Sequence, residues 1–434
     1  MTAGRNRTVF VISLAFQGAA VIALTVAARS GAAPSLVVLC LAVCFVPYAA
    51  LLACAGALAD PRAVSRIAII AATLFGAAWV LAPPMLSDDL YRYLWEGRLW
   101  LEGLNPYRFA PDDPVAAHLR DEAWSRINNR PLASIYPPLS QMLFVVAAAF
   151  GGTATSVKIL ALLAHLVSAA VMGHVTSSSR TTVALALNPL LLSEAALNGH
   201  LDILCGMALL IAAWALGQRH FVRAGAAALA AIGLKLVGLV LLPLLWRRPK
   251  VLLATALGAA LMLVPLFAWR VPADPVSGTG QFAARWRGNE SLFAAVDYFS
   301  RLILEDDLAH LVARGLVALA LSLLCVYVAW RRAPPLQAAR LLVWAVLLLS
   351  PQVNPWYLAW LLPLELAAGA SAGIAWSALV LVAYAPLDSW VAEGVWVMPL
   401  GLQILEYSLL AFALILDPRR PSLRLLPGTQ PVPS

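Results

Sequence analysis

Two adjacent carboxylates, Asp88 and Asp89, stand where an apolar run ends at Ala82-Pro83-Pro84, and they open a polar stretch over 83–136. That stretch holds eight acidic and six basic side chains in a chain that is otherwise mostly apolar. Carboxylates at the end of a hydrocarbon-embedded helix are costly if they go deep, so they belong at the interface or in a water-filled cavity. There a carboxylate could take the proton of an attacking hydroxyl, while cations nearby stabilise charge growing on a departing phosphate. Such an arrangement could support sugar transfer from a lipid phosphate. Read as a helix from Asp88 to about Leu101, the segment sets Asp88, Arg92 and Glu96 on one face at i, i+4, i+8. Asp89, Tyr93 and Trp100 share a neighbouring face, a pattern that fits a helix lying along a membrane surface. An ordinary solvated interfacial helix laced with ion pairs is the plainer alternative.

Three further polar breaks interrupt apolar runs. Glu194, Asn198 and Asp202 fall at i, i+4, i+8 and would face one cavity if helical, with His200 pointing elsewhere. Asn198 and His200 could equally glue helices together by hydrogen bonds. Lys235 sits at the centre of the run 222–247, where it could snorkel or could neutralise a phosphate as a compact cation. The fourth break is Pro351-Gln352-Val353-Asn354-Pro355-Trp356-Tyr357. No Gly-rich phosphate loop, His-Glu-x-x-His or nucleophile elbow occurs, so nucleotide-driven and metalloprotease chemistry have no footing. Asp88-Asp89 could hold Mg2+ or Mn2+, yet the pair lacks further obvious ligands, so no metal-ligand set is assigned.

The elements that must position these groups are membrane helices. Apolar residues make up 62% of the chain and charged ones 12%, and the mean hydropathy is +0.82. These values specify an all-α polytopic membrane protein rather than a soluble domain. The net charge of +8 then marks topology and anionic lipid, not nucleic acid. The five cysteines lie inside apolar runs without metal or redox spacing and read as small buried hydrophobes. The run from Val9 follows Arg5 and Arg7 without a convincing cleavage site and reads as a retained first helix.

Spans are expected at 9–27, 35–58, 64–82, 154–175, 201–217, 250–270, 309–330, 337–350, 355–369, 372–387 and 398–416, with a return helix over 137–150. Basic clusters at 219–223, 247–250, 331–332 and 419–420 belong in the cytoplasm. That rule splits 222–247 into two short antiparallel pieces, and makes either 181–198 or one of its neighbours re-entrant. The count is about 12 to 14 spans. Residues 1–416 form a single membrane domain with an extracytoplasmic loop at 83–136, and 417–434 form a short cytoplasmic tail.

Asp88-Asp89-x-Tyr91-Arg92-Tyr93-x-Trp95-Glu96-Gly97, Gly103-Leu104-Asn105-Pro106-Tyr107 and Ile135-Tyr136-Pro137-Pro138 together resemble the first external loop of a known family. It is the polyprenyl-phosphate-sugar-dependent glycosyltransferases of the C superfamily, with the closest likeness to bacterial mannosyltransferase-like members (family 87). The resemblance covers about 80–400 and extends to Asn188-Pro189, Gly199-His200-Leu201-Asp202, Lys235 and Pro355-Trp356-Tyr357. It implies the glycosyltransferase C-type fold, a multi-pass protein of the bacterial inner membrane, and a site on the extracytoplasmic side. It also implies an inverting transfer of mannose from a polyprenyl-phosphate donor to a lipid-linked or cell-envelope glycan acceptor, with Asp88 or Asp89 as general base. Arg92, Tyr93, Glu96, Asn105, Tyr107, Arg126, Tyr136, Glu194, Asn198, His200, Asp202, Lys235, Asn354, Trp356 and Tyr357 are then the substrate-binding candidates. Many relatives carry His where this chain has Asn354; Asn can only hydrogen-bond, so it belongs to binding rather than proton transfer. A transporter or flippase, which also uses broken helices and buried charge, and a non-catalytic assembly subunit are the competing readings.

Overall fold

A computed structural model describes residues 3–268, 286–331 and 333–421. These residues form helices and turns, and their β pairing is one parallel bridge between Gly288 and Gln352. Six helices are long and apolar enough to cross a membrane: Gly4–Arg29, Pro34–Ala55, Pro61–Val80, Ala154–Thr176, Asp306–Arg331 and Ala372–Glu393. Shorter apolar helices accompany them, including Pro138–Ala149, Asp202–Gly217, Phe221–Leu234, Leu236–Leu245, Pro335–Leu349 and Leu400–Leu416. The expected uniform spans therefore resolve into long helices and short pieces. Proline opens many of them because the first turn needs no N–H donor there, as at Pro34, Pro61, Pro138, Pro189 and Pro335. The part of the expected 271–307 loop up to residue 285, Arg332, and the tail beyond Pro421 lie outside the described residues.

The segment 181–198 does not turn back on itself. Helices Ser179–Ala186 and Pro189–Ala196, broken at Asn188, run antiparallel to Ala154–Thr176 along its length. Gly173 packs on Thr182, the His165 ring meets the Ala186 carbonyl at 3.1 Å, and Gly199 packs on Val157 and Lys158. The neighbour that stays at one end of the bundle is Pro138–Ala149. Near its start Ser140 donates to the Leu234 carbonyl, and near its end the Ala147 carbonyl accepts from Ser156 at the head of Ala154–Thr176. Its 12 residues rise only about 18 Å, short of a hydrocarbon core of about 30 Å.

This short helix covers the loop helix Asp89–Leu101 so closely that a methyl group on Gly97 would overlap the Phe144 carbonyl. Leu90 through Gly97 are all buried as a result, and the loop helix lies beneath Pro138–Ala149 instead of along a surface.

The run 222–247 reverses at its lysine. Phe221–Leu234 ends, Lys235 is extended, and Leu236–Leu245 returns as a 3-10 helix with Gly238 against the Ile232 backbone. The reversal brings Arg248 to 3.8 Å over the Phe221 ring. Trp246 donates to the Ala329 carbonyl, and Arg340 to the Arg419 carbonyl. The basic clusters at 219–223 and 247–250 thus gather with Arg331 and Arg419 at one end, while Asp202 and Lys235 lie at the other. If charge bias sets the orientation, a cysteine at position 248 is expected to resist an impermeant thiol reagent applied from outside, and one at position 113 to react; the reverse pattern would invert the topology.

Candidate active site

Asp88 and Asp89 diverge because neighbouring residues cannot share a helical face. Asp88 precedes the helix, and its Oδ1 accepts from Asn128 Nδ2 at 2.6 Å. Asp89 turns inward and accepts from the Tyr136 hydroxyl at 3.4 Å. Burial pushes the Asp88 carboxyl up to about 6, with the adjacent Asp89 charge adding to it. Burial also raises Asp89, against the pull of Lys235 and Arg92.

Across Tyr136 stands the cation. Lys235 Nζ lies 5.0 Å above the Tyr136 ring and 3.3 Å from Asp202 Oδ1, an oxygen that also accepts from the Trp360 indole at 2.8 Å. Lys235 sits at the reversal, so its side chain leaves the end of Phe221–Leu234 toward the head of Asp202–Gly217. Tyr93, Tyr136, Phe144, Asp202, Cys205 and Lys235 line a small cavity at this point. Asp202 and Lys235 thus face one space bordered by aromatic rings, and Asp89 meets its edge through the Tyr136 hydroxyl.

Behind the cavity lies a buried polar layer. Glu194, Asn198 and Asp202 do not continue one helix: the helix ends at Ala196, and Gly199 adopts a positive φ of 78° before the next begins at Asp202. That turn points His200 into the cluster, contrary to the helical expectation. Its Nδ1 pairs with the Tyr93 hydroxyl at 3.0 Å, its Nε2 lies 3.6 Å from Glu194, and its ring stacks on Trp356 at 4.1 Å. Glu194 also accepts from Tyr384 and, at 3.3 Å, from Asn198, whose own oxygen accepts the Leu86 N–H at 3.2 Å. Tyr357 stacks on Trp360 at 4.1 Å, behind Asp202.

Other candidates take supporting places. Arg92 is buried and donates to the carbonyls of Asn128, Asn129 and Leu132 while pairing with Glu96 at 3.5 Å. Glu96 is held by Ser134 and Gln141 at 2.8 and 2.6 Å, and its burial raises its carboxyl. Asn105 fixes the Tyr107 N–H, and the Tyr107 hydroxyl donates to the Tyr136 carbonyl at 2.8 Å, so the pair props Tyr136. Arg126 is exposed and partners Tyr91 and Glu122 rather than either aspartate. The Asn354 side chain accepts from Gln352 at 3.2 Å. Sequence reading missed Asn128, Trp360 and Tyr384; Asn128-Asn129-Arg130-Pro131 carries only a turn signal, and the other two sit in apolar helical context.

The sequence model described as alpha-(1->6)-mannopyranosyltransferase, N-terminal domain, matches residues 9–248, more than half of the chain. The chain belongs to that family. The mannopyranosyltransferase match takes in Asp88, Asp89, Tyr136, His200, Asp202 and Lys235, and ends before Trp356, Trp360 and Tyr384, which complete the cluster from later helices. Membership supports glycosyltransferase activity in a multi-pass membrane protein. No curated protein and no solved structure matches the chain. Among the described residues, no group of three or more His, Cys, Asp or Glu side chains is placed to hold a metal ion.

Proposed function

We propose that this mannopyranosyltransferase moves a mannosyl group from a polyprenyl-phosphate donor to a lipid-linked or cell-envelope glycan acceptor, with inversion, at the extracytoplasmic side of the bacterial inner membrane. The observation that carries the reading is the grouping of Lys235, Asp202 and Asp89 about Tyr136, with Asp88 next to Asp89 in the chain, at the bundle end away from the basic clusters.

In a direct displacement the acceptor hydroxyl oxygen bonds to the anomeric carbon as the bond from that carbon to the phosphate oxygen breaks. The hydroxyl proton must leave on one face of the sugar while negative charge grows on the other. Asp88 suits the proton transfer, because a carboxyl raised toward neutrality is a stronger base than an ordinary aspartate. Lys235 suits the charge on the phosphate, as a compact cation held by Asp202 until a phosphate competes for it. Asp89 stands between them through Tyr136 and keeps that hydroxyl and the ammonium in register. Tyr93, Tyr136 and Phe144 border the cavity with aromatic surface against which a sugar could pack.

The test is purified protein with polyprenyl-phosphate mannose and a panel of mannosylated lipid acceptors, with the product linkage read by NMR. A new mannosidic bond of configuration opposite to the donor's is the expected result. Translocation of the lipid across vesicles with no new glycosidic bond would instead make the chain a flippase.

A further inference from the structure

We propose that Asn128 is a positioning residue for Asp88, holding the carboxylate ionised and in one orientation, and that Arg92 acts through Asn128 by pinning the turn that carries it. The proposal rests on the reading of Asp88 as the base.

The geometry comes from two elements that sequence reading kept apart. Asn128 Nδ2 reaches Asp88 Oδ1 at 2.6 Å across forty positions of chain. Facing an ionised carboxylate, the amide has to present its N–H end, so the contact favours the charged form of Asp88. The turn beneath it is held by the Arg92 fork: Nη2 donates to the carbonyls of Asn128 and Asn129 at 2.9 and 2.7 Å, and Nη1 to that of Leu132 at 3.0 Å. Asn129 adopts a positive φ of 47°, which asparagine tolerates, and this bends the chain so that its neighbour's amide meets Asp88.

Arg92 is fixed in turn by Glu96, itself locked by Ser134 and Gln141. A buried guanidinium that spends its fork on three backbone carbonyls is unavailable to a substrate, which moves Arg92 and Glu96 from binding to support. Asp88 is otherwise faced by the charges of Asp89 and Arg92 from its own helix, while Lys235, Arg92 and Asp202 face Asp89, whose charged form the Asn128 amide also favours. Arg130, the nearby cation of the turn, lies 3.9 Å from Asp112. Asn128 is thus the neutral side-chain donor, beside a backbone N–H, to a carboxyl that burial and Asp89 both push upward.

Asn128→Ala removes a donor to the charged form and should shift the acid limb of the turnover profile upward by roughly one pH unit. Asn128→Asp keeps the shape but sets carboxyl against carboxyl, and should shift it further. The isosteric Asn128→Asp keeps the series readable if Asn128→Ala folds poorly. Two readouts are taken: turnover with polyprenyl-phosphate mannose and octyl α-mannoside, and infrared titration of the carboxyl band that disappears in Asp88→Asn. Upward movement of both in the order wild type, Ala, Asp supports the proposal. A carboxyl band that titrates at the same pH in all three overturns it, whatever happens to turnover. A band that moves while the turnover limb does not would retain Asn128 as the tuner of Asp88 but remove Asp88 as the base.

Discussion

Asp88→Asn is expected to lower turnover at saturating donor and acceptor by about two to four orders of magnitude, the usual loss when an acid–base group is removed. The amide keeps the shape of the side chain and can still meet Asn128 after an amide flip, so the fold should survive. What it cannot do is accept the acceptor's proton. The pH profile separates this loss from a structural one. With the carboxyl raised to about 6 by burial, the wild-type group is protonated and inactive below that pH and ionised above it. Turnover should therefore rise through about pH 6 and level off, and this limb should vanish in Asp88→Asn. Asp89→Asn should act mainly on donor use, because Asp89 faces Tyr136 and Lys235. If both variants keep more than half of wild-type turnover, the base lies elsewhere. Asp202 would then be the next candidate, since Glu194 is screened from the cavity by His200.

Lys235→Ala should reduce kcat/KM for the donor about ten- to hundred-fold, the scale of one lost charge-assisted contact to phosphate. Two effects add in the same direction. The departing phosphate loses its cation, and Asp202, which is 3% exposed, loses its ammonium partner and keeps the Trp360 indole as donor. Lys235→Arg restores charge without the compact head and should recover part of the activity. The double variant Lys235→Ala/Asp202→Asn removes the orphaned carboxylate. If it regains thermal stability but not donor use, the phosphate role stands. Unchanged donor affinity and turnover in Lys235→Ala alone would leave Lys235 as a tether for Asp202.

Several features of this chain needed no tertiary structure. An apolar content of 62% interrupted by a dense charged loop admits few arrangements except a helical bundle with a polar site at one end. The basic clusters at the two ends of 222–247 favoured a reversal, and Lys235, the one cation between those clusters, had to sit near it. Local sequence carries this information because burial in lipid and charge bias act on each segment separately. Three decisions were made elsewhere. His200 turns inward because Gly199 breaks the helix that periodicity extends to Asp202. Pro138–Ala149 stays with the loop because Gly97 lets it pack backbone to backbone on the helix beneath. Asp88 meets Asn128, Asp202 meets Trp360, and Glu194 meets Tyr384 through contacts spanning 40, 158 and 190 positions. Hydrophobic period reports which face of a helix is apolar, but not which distant helix supplies the donor for a buried carboxylate. That choice belongs to the packing of the whole bundle, where an oxygen left without a partner would cost more than the local conformation that brings one to it.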